Sequence, residues 1–130
     1  MNRPIAPAGI AAPAANYALA VLSEASARLL HTAGIVGVTV DGTVPASIGD
    51  QADVIWSSLL AILAEAEMVP SDIASITTYV VASHLDDLST VMAARDRYLA
   101  GHRAASTLVT VPALARPAWL MEVALVAAAT

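Results

Sequence analysis

The chain of 130 residues contains no cysteine, no lysine and no phenylalanine. Without cysteine there is no disulfide, thiolate metal site, iron–sulfur cluster or sulfur nucleophile. Without lysine there is neither a Schiff-base amine nor a phosphate-loop lysine. Charge is also scarce, at 13% of residues, and aromatic residues make up 4%. The net charge of −5 and the small set of arginines fit poorly with binding a phosphate backbone, so nucleic acid is not expected as a partner. No uncharged run reads as a membrane span. The longest near the N-terminus, residues 4–23, is Ala-rich and broken by Pro4, Pro7 and Pro13. A cytoplasmic protein with no membrane attachment is the expectation.

What is abundant is apolar. Hydrophobic residues are 58% of the chain. That excludes disorder as the main state and supports a sizeable core in a single domain spanning 1–130. A domain this small has much surface for its volume, so some of the apolar surface is expected to be buried between copies of the chain.

Residues 1–15 are rich in Pro, Ala and Gly and read as an extended arm. Residues 17–21 and 28–40 read as two or three short strands ending in a turn at Asp41-Gly42. From 49 to 67 the period changes: Ala52, Ile55, Trp56, Leu59, Ile62, Leu63 and Ala66 recur at spacings of three and four. Asp50, Gln51, Asp53 and Ser57 lie between them. This predicts an amphipathic helix, which Pro70 prevents from continuing. Residues 73–82 are β-branched on both alternations and predict a strand covered on both faces. Residues 86–100 return to helical spacing, with Asp86-Asp87 at the start, Arg95-Asp96-Arg97 on the solvated face and Gly101 as the C-cap. Residues 105–111 and 119–127 read as the last two strands. The order β-β-α-β-α-β-β places both helices on one face of the sheet and leaves the other face open for a second copy.

Few residues can carry chemistry. His31, His84 and His102 show no metal-ligand spacing, no phosphate-binding glycine motif occurs, and no cofactor is expected. Glu122 is the only charge on either face of the last strand. A carboxylate among apolar neighbours suits general acid or base work, or is paired with an arginine for structure. Tyr17, after the Pro-rich arm, could orient a ligand through its hydroxyl, or close the core edge.

The chain from about residue 11 onward resembles the RidA/YjgF/UK114 (Rid) family of small imine deaminases. Asn16-Tyr17-Ala18-Leu19-Ala20-Val21, Thr32-Ala33-Gly34-Ile35-Val36, the helix from Gln51 to Leu63, the strand Asp72–Val81, and Ala105-Ser106-Thr107 with the strands after it match its segments in order. The resemblance implies a chorismate-mutase-like α+β fold and a homotrimer with clefts between subunits, each holding a small-molecule metabolite. It implies that Glu122 positions the water attacking an imine carbon. Tyr17, Thr32, Ala33, Ser106 and Thr107 fall at substrate-binding positions.

Two positions depart from the family. Ala105 stands where an arginine would clamp the substrate carboxylate, and a methyl group makes no such contact. Ala33 replaces a glycine that lets substrate approach the backbone. Arg103 lies two residues before Ala105 on the same alternation, offset by roughly 6–7 Å, and could bend back toward that place. The expected activity is hydrolysis, deamination or tautomerisation of an imine, enamine or related carbonyl-derived metabolite, with weak turnover of 2-aminoacrylate. The alternative is a non-catalytic small-molecule-binding or interaction protein on the same scaffold. A ribonuclease is disfavoured by the acidic charge balance.

Overall fold

The computed structural model describes all residues, 1–130. Seven strands and two α-helices follow one another as β1 (Asn2–Ile5), β2 (Ala20–Ser23), β3 (Arg28–His31), β4 (Ile35–Val36), α1 (Ile48–Glu65), β5 (Ile73–Val81), α2 (Leu88–Leu99), β6 (Ala105–Val111) and β7 (Met121–Ala129). The main sheet is mixed, in the order β3-β7-β5-β6, with β4 also paired to β7. β5 and β6 are parallel because α2 carries the chain back across the sheet between them; every pairing to β7 is antiparallel.

α1 starts where the Ser47 side chain accepts a hydrogen bond from Asp50 N–H at 3.1 Å. Its apolar stripe packs Ile55, Trp56, Leu59 and Leu63 onto the sheet. From the sheet, Ile73, Ile76 and Val80 of β5 and Met121, Val123 and Leu125 of β7 meet them, and Val91, Ala94 and Leu99 of α2 complete the core. None of the helices is long and apolar enough to cross a membrane.

Several local readings change. The N-terminal arm contains β1, which pairs antiparallel with β2 to form a separate two-stranded ribbon. Hydrogen bonding between distant segments can order a stretch that has no periodicity of its own. The first expected strand begins at Ala20, so Tyr17 precedes it. A 3₁₀ segment over Ala82–Asp87 delays α2 to Leu88, and Asp87 bonds His84 Nδ1 at 2.8 Å rather than capping the helix. Ala100, one residue before Gly101, is the first at the end of α2 to take the left-handed conformation, at φ +49°. The last strand runs 121–129 rather than 119–127.

Two polar residues assigned to solvated faces are buried. Arg95 turns inward and is only 7% exposed, its guanidinium beside Asp96 at 3.0 Å. Gln51 is fully buried because three backbone groups need it. Its Nε2 donates to Pro45 O (2.8 Å) and Ala118 O (2.9 Å), and its Oε1 accepts from Leu120 N–H (2.9 Å). Gly37 lets this happen: a Cβ there would stand 2.7 Å from the Gln51 Cβ. β5 is covered by the helices on one face only. Ser75, Thr77 and Tyr79 on the other are half-exposed in the single chain.

Candidate functional site

The open face of the sheet carries Glu122, the candidate catalytic residue. Antiparallel register sets Glu122 of β7 beside Tyr79 of β5 on one side and Val36 of β4 on the other. The parallel register continues the row to Val109 of β6. Period-two alternation explains the facing: Met121, Val123 and Leu125 are buried under the helices, while Glu122, Ala124 and Val126 are half-exposed on the opposite side. Glu122 takes part in none of the four ion pairs of the chain.

Its carboxylate lies over the backbone that joins β3 to β4. A methyl group built on Gly34 would overlap Glu122 Oε2 and stand 2.6 Å from Cδ. Gly34 therefore leaves the space in which this carboxylate sits. The register places Tyr79 beside Glu122 in the sheet, on the same face. A carboxylate on an open sheet surface that no other side chain holds can accept a proton from a water molecule.

Thr32 and Ala33 sit on the same side of the site. Thr32 N–H donates to Leu125 O (3.0 Å), and its hydroxyl accepts from Leu125 N–H (3.0 Å) while donating to Ala33 O (2.8 Å). The threonine thus splices the end of β3 to β7 and sets the path of Ala33 and Gly34 past Glu122. Ala33 itself is exposed.

The other sequence-derived residues gather elsewhere. Ala18 forms a parallel bridge to Ala105, and Ala18 N–H donates to Ala104 O at 2.9 Å. This brings Tyr17 to the start of β6, with its hydroxyl accepting from Ala14 N–H at 3.4 Å. Ser106 Oγ donates to Ala104 O (3.3 Å), and Thr107 is exposed. Arg103 donates to Asn16 Oδ1 at 2.8 Å, and Asn16 Nδ2 donates to Asp96 of α2 at 3.1 Å. The guanidinium is thereby held beside the C-terminal end of α2, where Asn16, Asp96, Gly101, His102 and Arg103 line a polar cavity of about 210 Å³.

These two groups do not meet within one chain. Ala105 shares a row with Ser75 and Val126, four residues along β7 from Glu122 and two strands across. Strand geometry makes that roughly 16 Å. Tyr79 and Gly34 are the neighbours of Glu122 that the sequence did not single out. The alternation of 73–82 already put Tyr79 on one face with Ser75 and Thr77, but only the strand register shows that this face holds Glu122.

With this geometry in view, residues 9–129 match the family described as Endoribonuclease L-PSP. Among solved structures, the chain is similar to YyfB of Yersinia pestis, a protein of unknown function in the conserved Rid family. That similarity is 28% identity over 98% of both chains, with a TM-score of 0.88. It also resembles E. coli TdcF, solved with bound serine (22% identity, 94% of this chain and 92% of that one, TM-score 0.72). Yeast Mmf1 has the same fold at 18% identity over all of both chains, with a TM-score of 0.71. No curated protein matches the sequence.

Proposed function

This chain belongs to the Endoribonuclease L-PSP family, which includes the Rid proteins, and we propose that it acts on an imine, enamine or related carbonyl-derived metabolite through Glu122. The observation that carries this reading is the Glu122 carboxylate: free of any ion pair, laid over Gly34 and flanked by Tyr79 on an open sheet face. In hydrolysis, Glu122 accepts a proton from water as its oxygen bonds to the imine carbon. The proton is returned to nitrogen to give a carbinolamine; its hydroxyl proton then passes to nitrogen as the carbon–nitrogen bond breaks, and a carbonyl compound and ammonia leave. In tautomerisation the same carboxylate carries a proton between carbon and nitrogen.

The roughly 16 Å between Glu122 and Ala105 in one chain supports a site completed by a second copy. In a trimer packed through the open faces, Glu122 of one subunit would lie across a cleft from the Tyr17–Ala105 end of its neighbour. Ala105 provides no guanidinium at the family's clamp position, and Arg103 is committed to Asn16. A simple 2-imino acid is therefore a poor substrate on this reading.

The test is an imine-hydrolysis assay. An amino-acid oxidase generates a panel of imines, uncharged ones included, and semicarbazide traps what remains. Wild type is expected to accelerate loss of at least one imine, and Glu122→Gln to lose that acceleration by about 10²-fold or more with its fold intact. Rapid turnover of 2-aminoacrylate by wild type would overturn the altered substrate choice. An inert wild type whose Ala105→Arg variant gains activity on 2-imino acids would place the natural ligand outside that class. Wild-type turnover unchanged in Glu122→Gln would remove the role given to this carboxylate.

A further inference from the structure

Arg116 stands apart from the other five arginines. Arg3 pairs with Glu24, Arg97 with Asp53 and Arg95 with Asp96. Arg28 donates to the carbonyls of Ala66 and Thr130, and Arg103 to Asn16. Arg116 has neither an ion pair nor a side-chain hydrogen bond. Its guanidinium is stacked on the indole of Trp119 instead, 5.7 Å from the ring centroid. A cation–π contact of this kind leaves the N–H donors of the guanidinium free.

The place is as telling as the partner. Arg116 lines a groove of about 120 Å³ whose walls include Val81, Ser83, Leu114, Trp119 and Leu120. Val81 N–H donates to Leu120 O at 3.0 Å, which extends the β5–β7 ladder beyond the Tyr79–Glu122 pair. Leu120 is two residues from Glu122, and Val81 two from Tyr79, so the groove opens roughly 7 Å along the strands from the candidate site. Its base is fixed: buried Gln51 holds Ala118 O and Leu120 N–H on either side of Trp119. An unpaired, exposed guanidinium beside an indole, at a small groove of mixed polar and apolar lining, can receive a planar oxyanion attached to an apolar body.

We infer that Arg116, stacked on Trp119, binds a carboxylate of a small metabolite whose reacting carbon lies at Glu122, several bonds from that carboxylate. The inference rests on the role proposed for Glu122 only in placing the reacting carbon; the carboxylate site stands on its own geometry. It separates this chain's ligand from a 2-imino acid, in which the carboxylate is bonded directly to the reacting carbon.

Binding can be read without turnover. Trp119 is half-exposed beside Arg116, whereas the only other tryptophan, Trp56, is buried in the core, so the two indole N–H signals report different places. Titration of the full chain with 3-phenylpropionate, followed by ¹H–¹⁵N spectra, is expected to shift the Trp119 indole signal saturably and leave that of Trp56 in place. The matched neutral amide, 3-phenylpropanamide, should be at least about tenfold weaker, and Arg116→Gln should weaken the acid to the same extent. Arg116→Lys keeps the charge but loses the fork, and should fall between. Arg97→Gln, which removes an exposed cation paired with Asp53, should bind like wild type.

Equal binding of acid and amide, an unchanged acid affinity in Arg116→Gln, or no saturable shift would each overturn the inference. In the imine panel, Arg116→Gln should raise KM for imines bearing a remote carboxylate and leave uncharged imines unaffected. Acid binding that depends on Arg116, alongside turnover indifferent to Glu122→Gln, would keep this site and remove the catalytic reading. Turnover that depends on Glu122 but keeps the same KM in Arg116→Gln would do the reverse.

Discussion

The two faces of the main sheet are built from the same strands and do opposite work. On the face under α1 and α2, β5 and β7 present Ile73, Ile76, Val80, Met121, Val123 and Leu125, all buried against Trp56, Leu59 and Leu63. On the other face, the residues one step along the same strands are Ser75, Thr77, Tyr79, Glu122 and Ala124, all half-exposed. The covered face removes apolar area from water and stabilises the chain. The open face carries the carboxylate, the phenol and the hydroxyls, and contributes little to the core of a single chain. Alternation along a strand lets selection change one face with little disturbance to the other.

Mutations on the two faces should separate stability from function, and the largest effect belongs to the covered face. Trp56→Ala should lower unfolding free energy by about 3–5 kcal/mol, because the ring is fully buried between α1 and the sheet. Urea unfolding measures it; a loss below about 1 kcal/mol would mean the helix layer is loosely packed.

Gln51→Ala comes next, at about 3 kcal/mol. It strands Pro45 O, Ala118 O and Leu120 N–H without partners. Because two of these anchor the segment around Trp119, the same variant should also broaden the Trp119 indole signal and leave that of Trp56 sharp. This would break the separation of faces at the one point where a buried residue reaches the loop beside the site.

Gly34→Ala sharpens the contrast from the open side. The methyl group would meet the end of a flexible Glu122 side chain, which can swing away, so stability should change by less than about 1 kcal/mol. The carboxylate would nonetheless move. ¹³C-labelled glutamate should show the Glu122 carboxyl resonance displaced, and any Glu122-dependent turnover should fall with it. An unmoved resonance would mean that Gly34 does not set the position of Glu122.

The smallest effect lies off both faces, in the turn that follows β4. Asp41 accepts a hydrogen bond from the Thr39 hydroxyl and another from Thr43 N–H, and these hold its carboxyl at about 2 against an ordinary 3.8. The folded state thus favours the ionised form. The stabilisation is fully present above about pH 4 and is lost as pH falls through about 2. Asp41 is fully exposed, so the contribution is small and screened by salt. Wild type and Asp41→Ala should have a constant difference in stability from pH 7 to pH 5 that closes toward pH 2. A difference that persists at pH 2 would point to turn geometry rather than charge.

The sequence by itself determined the two helices, the strands of the main sheet and the layers, though not the β1–β2 ribbon. The three-and-four spacing from Ala52 to Leu63, the β-branched run at 73–81 and the alternation around Glu122 each report a local period that the backbone imposes. The ordered segments from Tyr17 to Glu122 were enough to suggest the family. The tertiary structure decided what depends on register and on distant partners. It paired Tyr79 with Glu122 and left the room at Gly34 that the carboxylate occupies. It turned Gln51 and Arg95 inward, tied Arg103 to Asn16, and left Arg116 stacked but unpaired. A residue's period is a property of its neighbours in the chain. Its hydrogen-bond partner is a property of the fold, because buried polar groups take whichever complementary group the packing brings within reach.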